Sequence, residues 1–265
     1  MPVIHLNQNP VRYQVDGAAG LPWLVFSNSL GTDLRMWNAQ AAFFSRDFRV
    51  LRYDTRGHGG TGAGTAATTT IEQLGHDVVA LLDALDIERA HFCGLSMGGM
   101  IAQWLGIHAP QRLHKLVIAN SAPRIGTVQG WHDRAALVRS TGMDAVADGA
   151  AARWFTPAFQ QSAPQQVAGL VAQLRATEAN GYALCCEALA TADLRDAVAR
   201  ITLPTLLIAG AHDPVTTVAE AQALQGVIGG GNGATLVTLE ASHISNIEAE
   251  AAFNRALADF LRAPS

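Results

Sequence analysis

Lysine is nearly missing from this chain: Lys115 is the sole one, so almost all positive charge sits on arginine. Charge of either sign is scarce, at 15% of residues, and the net value of −4 is spread along the chain. No basic face or charged block is present, which excludes a nucleic-acid partner. The glycines of Gly59–Gly64 are followed by no lysine, so a phosphate-cradling loop is excluded too. Cysteine is limited to Cys93, Cys185 and Cys186, an odd count with two adjacent, which makes no disulfide framework. The histidines lack the clustered spacing with cysteine or carboxylate that zinc requires, so no metal or other cofactor is expected. No apolar run reaches the roughly 18 residues of a membrane helix, and the opening MPVIHLNQNPVRYQVDG has no basic stretch followed by an apolar one. A cytoplasmic protein without a membrane partner is the expectation.

What the chain does have is apolar residues, 49% of 265, enough for one large core. Short β-rich runs at Val11–Val15, Trp23–Ser27, Phe48–Tyr53, Ala90–Cys93 and Lys115–Ala119 alternate with amphipathic stretches at Leu34–Phe44, Thr70–Leu85 and Ser96–His108. In Thr70–Leu85, Ile71, Leu74, Val78, Leu81, Leu82 and Leu85 recur at helical spacing. Such alternation predicts an α/β fold with a mostly parallel central sheet flanked by helices. The rhythm breaks after Ser121-Ala122-Pro123. Residues 124–200 are Ala- and Gln-rich, helical in pattern and without a convincing strand. Strand and helix patterns resume with Thr205–Ala209, Val218–Gln225, Ala234–Leu239 and Ala249–Leu261, and the glycine-rich Gly229–Gly233 reads as a loop. The expected organisation is therefore a core of 1–123 and 201–265 with a helical cap, 124–200, inserted over one edge.

Gly94-Leu95-Ser96-Met97-Gly98 places G-x-S-x-G directly between a strand and a helix. A serine on so sharp a turn takes strained dihedrals, and the flanking glycines remove side chains that would clash. Its hydroxyl then stands above the carboxyl edge of the sheet, at the positive end of a helix dipole. Serine needs a base, and the base needs an acid to hold its tautomer. On a strand–turn–helix serine these follow in the order acid, then histidine. Asp213, in Gly210-Ala211-His212-Asp213-Pro214, lies just beyond one strand, and His243, in Ala241-Ser242-His243, just beyond the last. Ala119-Asn120-Ser121-Ala122, one strand earlier, offers no carboxylate. The expected catalytic set is Ser96, Asp213 and His243. Oxyanion N–H donors are expected from Met97 and from Leu30 in Asn28-Ser29-Leu30-Gly31, with Gly31 letting backbone approach the ligand. His58 reads as a structural loop residue.

Together these residues resemble the 3-oxoadipate enol-lactonases of the α/β-hydrolase superfamily. The likeness lies in Ser27–Thr32, Tyr53–Gly59, Gly94–Gly99, Gly210–Pro214 and Ser242–Glu248. Asp54–Gly59 and Gly94–Gly99 mark the α/β-hydrolase fold, whereas Asn28-Ser29-Leu30-Gly31 is the more telling, since most relatives carry His-Gly at its first two positions. Ser242 stands where many relatives have Gly, and Gly60-Thr61-Gly62 replaces a more usual Ser or Ala. The resemblance implies opening of a five-membered enol-lactone with an acetate arm to 3-oxoadipate, in aromatic catabolism by the β-ketoadipate pathway. An anionic lactone would need a cation and apolar walls. Among Arg124, Arg134, Arg139 and Arg153 the expected clamp is Arg134, with Trp131 and Trp154 as walls. A general carboxylesterase, a ring-cleavage carbon–carbon hydrolase and a receptor-like ligand-binding member of the fold share the same triad and stay open, as does the oligomeric state.

Overall fold

The computed structural model describes residues 2–6, 9–64, 67–231 and 233–263. One sheet of eight strands organises it: β1 (Val3–Leu6), β2 (Asn9–Asp16), β3 (Trp23–Ser27), β4 (Arg49–Tyr53), β5 (Ala90–Leu95), β6 (Leu113–Ala119), β7 (Thr205–Gly210) and β8 (Ala234–Leu239). Their spatial order is β1-β2-β4-β3-β5-β6-β7-β8. β1 pairs antiparallel with β2 and β2 antiparallel with β4 at one edge, and the pairings from β4 through β3, β5, β6 and β7 to β8 are all parallel. The central strands β3, β5, β6 and β7 are covered on both faces and read as continuous apolar runs rather than alternating ones. β1 is absent from the strands expected from sequence. Four residues with exposed Val3 carry no alternation to detect, and the strand exists because Ile4 pairs with Val11 of its neighbour.

Helices fill the crossovers. The stretch expected as one helix over Leu34–Phe44 is a 3-10 turn at Leu34–Trp37 followed by α1 (Asn38–Phe44), with Asp33 capping the turn. α2 (Ile71–Ala84) is capped by the Thr70 hydroxyl and buries Ile71, Leu74, Val78, Leu81 and Leu82. α3 (Met97–His108) is buried almost all round, as a helix beneath a central strand must be. Between β6 and β7 lie α4 (Val128–Thr141), α5 (Asp144–Asp148), α6 (Ala150–Trp154), α7 (Pro157–Ser162), α8 (Pro164–Arg175) and α9 (Ala179–Thr191). Thr127, Thr156 and Glu178 cap α4, α7 and α9, and Pro157 and Pro164 open α7 and α8, where no backbone donor is lost.

After β7 come α10 (Val218–Gln225), started by a Thr217/Glu220 capping box, then α11 (Ser245–Glu248) and α12 (Glu250–Arg262). Ile228–Gly231 turn through positive φ at Gly229 and Gly230, and Asn232 of the expected loop lies outside the described residues. α12 lays Phe253, Leu257 and Leu261 on the core, where Trp37 stacks on Phe26 at 4.6 Å between ring centroids. The lone lysine has a structural task. Lys115 is buried, and its Nζ donates to the carbonyls of Phe260 (2.9 Å) and Leu261 (3.3 Å) in the last turn of α12. Among the described residues no helix is long and apolar enough to cross a membrane.

Candidate active site

Sheet order converts distant segments into neighbours. β3 pairs with β5 so that Ser27 lies opposite Gly94, which sets the Asn28–Gly31 loop beside the turn after Leu95. β7 and β8 pair Gly210 with Leu239, so the loops carrying Asp213 and His243 leave the same edge side by side. Ser96 sits on its turn at φ 58° and ψ −114°, a conformation L-residues rarely take. The close approach that permits it excludes side chains: a Cβ at Gly94 would lie 1.9 Å from the Gly98 carbonyl oxygen, and one at Gly98 2.3 Å from that of Ser27. The Ser96 N–H donates to Ala119 O at 2.9 Å, and Ser121 Oγ donates to Ser96 O at 2.8 Å, pinning the strained residue to β6.

The three expected catalytic side chains meet there. His243 Nε2 is 2.9 Å from Ser96 Oγ, and its Nδ1 is 2.8 Å from Asp213 Oδ2. All three residues are buried. Asp213 Oδ2 also accepts from Asn120 Nδ2 (3.0 Å) and Thr216 Oγ1 (2.8 Å), while Oδ1 accepts the N–H groups of Val215 (2.8 Å) and Thr216 (3.1 Å). Burial alone pushes this carboxyl up. The charge of His243 and the hydrogen bonds from His243, Asn120 and Val215 outweigh it and hold the group below the ordinary carboxylate value. Asp213 is therefore ionised and orients the imidazole with Nδ1 protonated and Nε2 facing the serine. The cysteines offer no rival nucleophile: all three are buried and free, and burial pushes the thiols up, that of Cys186 to about 12.

The junction that offers no carboxylate contributes Asn120 instead. It stands at φ 43°, donates to both Asp213 and Ser242 O, and accepts from Ser245 Oγ. Sequence reasoning passed over it because only carboxylates were sought at that strand end. Leu30 and Met97 carry backbone N–H groups that have no partner among the described residues, as free oxyanion donors require. Leu30 lines the cavity. Gly31 does not do what was expected of it. It lies outside the cavity lining, and a Cβ there would come within 2.4 Å of Leu174 and 3.2 Å of Tyr182, so its bareness makes room for helices α8 and α9 rather than for a ligand.

The cavity above Ser96 and His243 measures about 380 Å³. Ile125, Trp131, Trp154, Leu174 and Val215 make its walls apolar, and besides Ser96 and His243 the polar side chains are those of Ser29, Thr127, Tyr182, Arg134 and Arg153. Trp131 is held by its Nε1–H on Ile125 O at 2.6 Å, and Arg134 lies over its ring at 4.8 Å. Of the four arginines considered from sequence, Arg124 is paired with Asp193 and Arg139 with Glu187. Arg134 and Arg153 have no carboxylate partner among the described residues, and both face the cavity. Burial lowers the Arg153 pKa, and the positive charge of Arg134 lowers it further, a sign of two unneutralised guanidinium groups close together. Arg153 was not singled out from sequence, where its equal standing with Arg124 and Arg139 hid it. Its Nη2 donates to Val146 O at 2.7 Å, which fixes the side chain.

The sequence profile of the alpha/beta hydrolase fold family matches residues 22–250. A 3-oxoadipate enol-lactonase of Acinetobacter baylyi is 49% identical over 264 residues, covering 97% of each chain. A second from the same organism is 42% identical, covering 94% of this chain and 92% of its own. Among solved structures, the enol-lactonase from Burkholderia xenovorans LB400 superposes with a TM-score of 0.95 at 44% identity, over 99% of this chain and 100% of that one.

Proposed function

This chain belongs to the α/β-hydrolase fold family and to its 3-oxoadipate enol-lactonase branch, and we propose that it opens 3-oxoadipate enol-lactone with water to give 3-oxoadipate through an acyl-enzyme on Ser96. The observation that carries this reading is the pair of guanidinium groups without a carboxylate partner among the described residues, Arg134 and Arg153, in the lining of a small apolar cavity that also contains Ser96 and His243. A neutral ester would leave two half-buried cations uncompensated, whereas the acetate arm of the lactone supplies their counter-charge. Trp131 and Trp154 form the walls for the ring, and the helices within 124–200 act as the cap that carries all four side chains.

In the reaction, Ser96 Oγ attacks the lactone carbonyl while His243 Nε2 takes its proton. Charge on the carbonyl oxygen is met by the N–H groups of Leu30 and Met97. The ring C–O bond breaks to leave an enolate, a better leaving group than an alkoxide. Its protonation at carbon, with the proton that His243 took from Ser96, returns the imidazole to its neutral form and makes a ketone, which prevents the tethered oxygen from closing the ring again at high effective molarity. Water activated by His243 then cleaves the Ser96 ester and restores the hydroxyl. Asp213 stays ionised throughout and steadies the imidazolium that forms.

The test compares substrates. Arg134→Ala and Arg153→Ala should each raise KM for the enol-lactone about 10- to 100-fold, as the loss of a charge-assisted contact implies, and leave p-nitrophenyl acetate nearly untouched. Equal effects on both substrates would remove the carboxylate clamp. Comparable wild-type rates across a panel of neutral esters, followed by their ultraviolet signals, would reduce the activity to general ester hydrolysis. A single burst without continuing turnover would point to a ligand-binding receptor.

A further inference from the structure

His58 lies in the Asp54–Gly59 motif, outside the relay of Ser96, His243 and Asp213, yet it touches the loop that bears one oxyanion donor. The ring is buried. Its Nε2 is 2.9 Å from the Gly31 N–H and its Nδ1 is 3.1 Å from Arg56 O. A backbone N–H only donates and a carbonyl only accepts, so the partners dictate the tautomer: Nδ1 carries the proton and Nε2 the lone pair. The imidazole here is a fixed acceptor.

What it holds is the turn Ser29–Thr32. The Ser29 carbonyl accepts from the Thr32 N–H (3.2 Å) and from Thr32 Oγ1 (2.8 Å), which orients the peptide plane whose other end is the Leu30 N–H. On the upstream side, the Asn28 carbonyl accepts from Gly98 N at 3.0 Å and its side chain donates to Tyr53 O at 2.8 Å. On the downstream side Met36 Sδ meets the Ser29 N–H (3.4 Å) and Thr32 Oγ1 (2.9 Å), and Asp54 Oδ1 accepts the Leu34 N–H (2.9 Å), but at the tip itself the Gly31 N–H is held, among the described residues, by His58. Gly31 is at φ 79°, and only its lack of a side chain lets it lie beneath Leu174 and Tyr182, so the backbone at the tip is specified by its conformation and by this one N–H contact.

We propose that His58 is a positioning residue for the oxyanion site: as a neutral acceptor it holds Gly31, and through Gly31 the Leu30 N–H, so that protonating its ring disarms the site without touching the relay. This rests on the reading of Leu30 as an oxyanion donor. The surroundings keep the ring neutral near pH 7. Burial lowers its pKa, against opposing contributions from the Arg56 carbonyl and from Asp54 and Asp33. Both carboxylates already face Arg12, and the Arg56 guanidinium is turned onto Asp77. From α9, Tyr182 (ring centroids 6.3 Å apart) and Cys185, whose thiol also donates to Arg56 O, are both held neutral by burial. When a proton does arrive at Nε2, donor faces donor and the Gly31 anchor is lost.

The experiment uses the full chain and p-nitrophenyl acetate, which makes no demand on the arginines. His58→Phe fills the same space without an acceptor. It should lower kcat about 10- to 100-fold with KM within about threefold, since a donor is misplaced rather than a binding contact removed. His58→Gln places an amide oxygen near the Nε2 position and does not titrate. It should recover most of kcat, and the acid limb of kcat against pH should lose a break that is expected in the wild type below the ordinary imidazole value. Equal loss of kcat in both variants with an unchanged acid limb would make His58 a mere loop filler and overturn the proposal, as would wild-type kcat in His58→Phe. Absence of any wild-type turnover, equal to Ser96→Ala, would instead overturn the hydrolase reading on which it rests.

Discussion

At the scale of single residues, Asp213 is the most heavily partnered group of the site, and the type of each partner explains its state. Every one is a donor, from the His243 ring, the Asn120 amide, the Thr216 hydroxyl and two backbone N–H groups. An amide at this position could accept some of these but would turn an N–H toward Nδ1 or force the ring into the other tautomer. Asp213→Asn should therefore lower kcat about 10³- to 10⁴-fold and leave KM nearly unchanged, measured by steady-state hydrolysis of an activated ester. Retention of more than about a tenth of kcat would take Asp213 out of the relay. Ser96, His243 and Asp213 could be named from sequence because each stands at a strand end with chemistry that few other residues there possess. Asn120 and Arg153 could not. An asparagine gains meaning only from the carboxylate it meets, and Arg153 is distinguished from Arg124 and Arg139 only by lacking a carboxylate partner among the described residues.

At the scale of elements, the loop bearing His243 is fastened to the helices above it. The Ile244 N–H donates to Trp154 O at 3.0 Å. From α11, the Glu248 carboxylate accepts the N–H of Ser242 (2.8 Å) and of Thr156 (3.1 Å), together with the Thr156 hydroxyl. One side chain thus joins the residue before His243 to the start of α7. Glu248→Ala leaves these donors without partners, a loss of about 1.5–3 kcal/mol for bonds to a charged group. In a chain this size that corresponds to a fall in Tm of about 5 °C. Calorimetry should show it together with a reduced kcat, because the His243 loop loses its support. An unchanged Tm would mean the tie is replaced by water. The elements themselves were largely readable, since apolar runs and helical spacing report burial. The exceptions were β1, too short to show a pattern, and the 3-10 turn before α1, which Asp33 and its contact with Arg35 initiate locally.

At the scale of the whole molecule, two imidazoles, His58 buried and His91 half-buried, couple folding to pH. Burial lowers the pKa of His58, and burial together with His114 and Lys115 brings that of His91 down to about 4. His91 Nδ1 is buried without a partner among the described residues, and its ring packs edge-on to Phe48 at 5.8 Å. Both groups are neutral in the folded chain, whereas the unfolded chain takes protons on them near pH 6.5. The unfolded state then binds more protons in acid, so stability is full above about pH 6.5 and falls as pH drops toward 4. Tm should decline across this window, and His91→Phe should flatten part of the decline. A Tm independent of pH between 7 and 4 would contradict the burial of these rings as neutral groups.

Sequence alone determined what is local or periodic. The alternation of strand and helix, the strained serine turn between two glycines, the caps, and the order of serine, acid and histidine along the chain all depend on residues a few positions apart. Tertiary structure alone decided what depends on meeting. Sheet order brought Ser27 opposite Gly94 and so set Leu30 beside Ser96, and the fold of the inserted helices left Arg134 and Arg153 unpaired while pairing Arg124 and Arg139. It also turned Gly31 toward helices α8 and α9 and gave its N–H to His58. The physical reason is that hydrogen bonds and charge pairs act over a few ångströms of space, and separation along the chain says little about that distance until the core has packed.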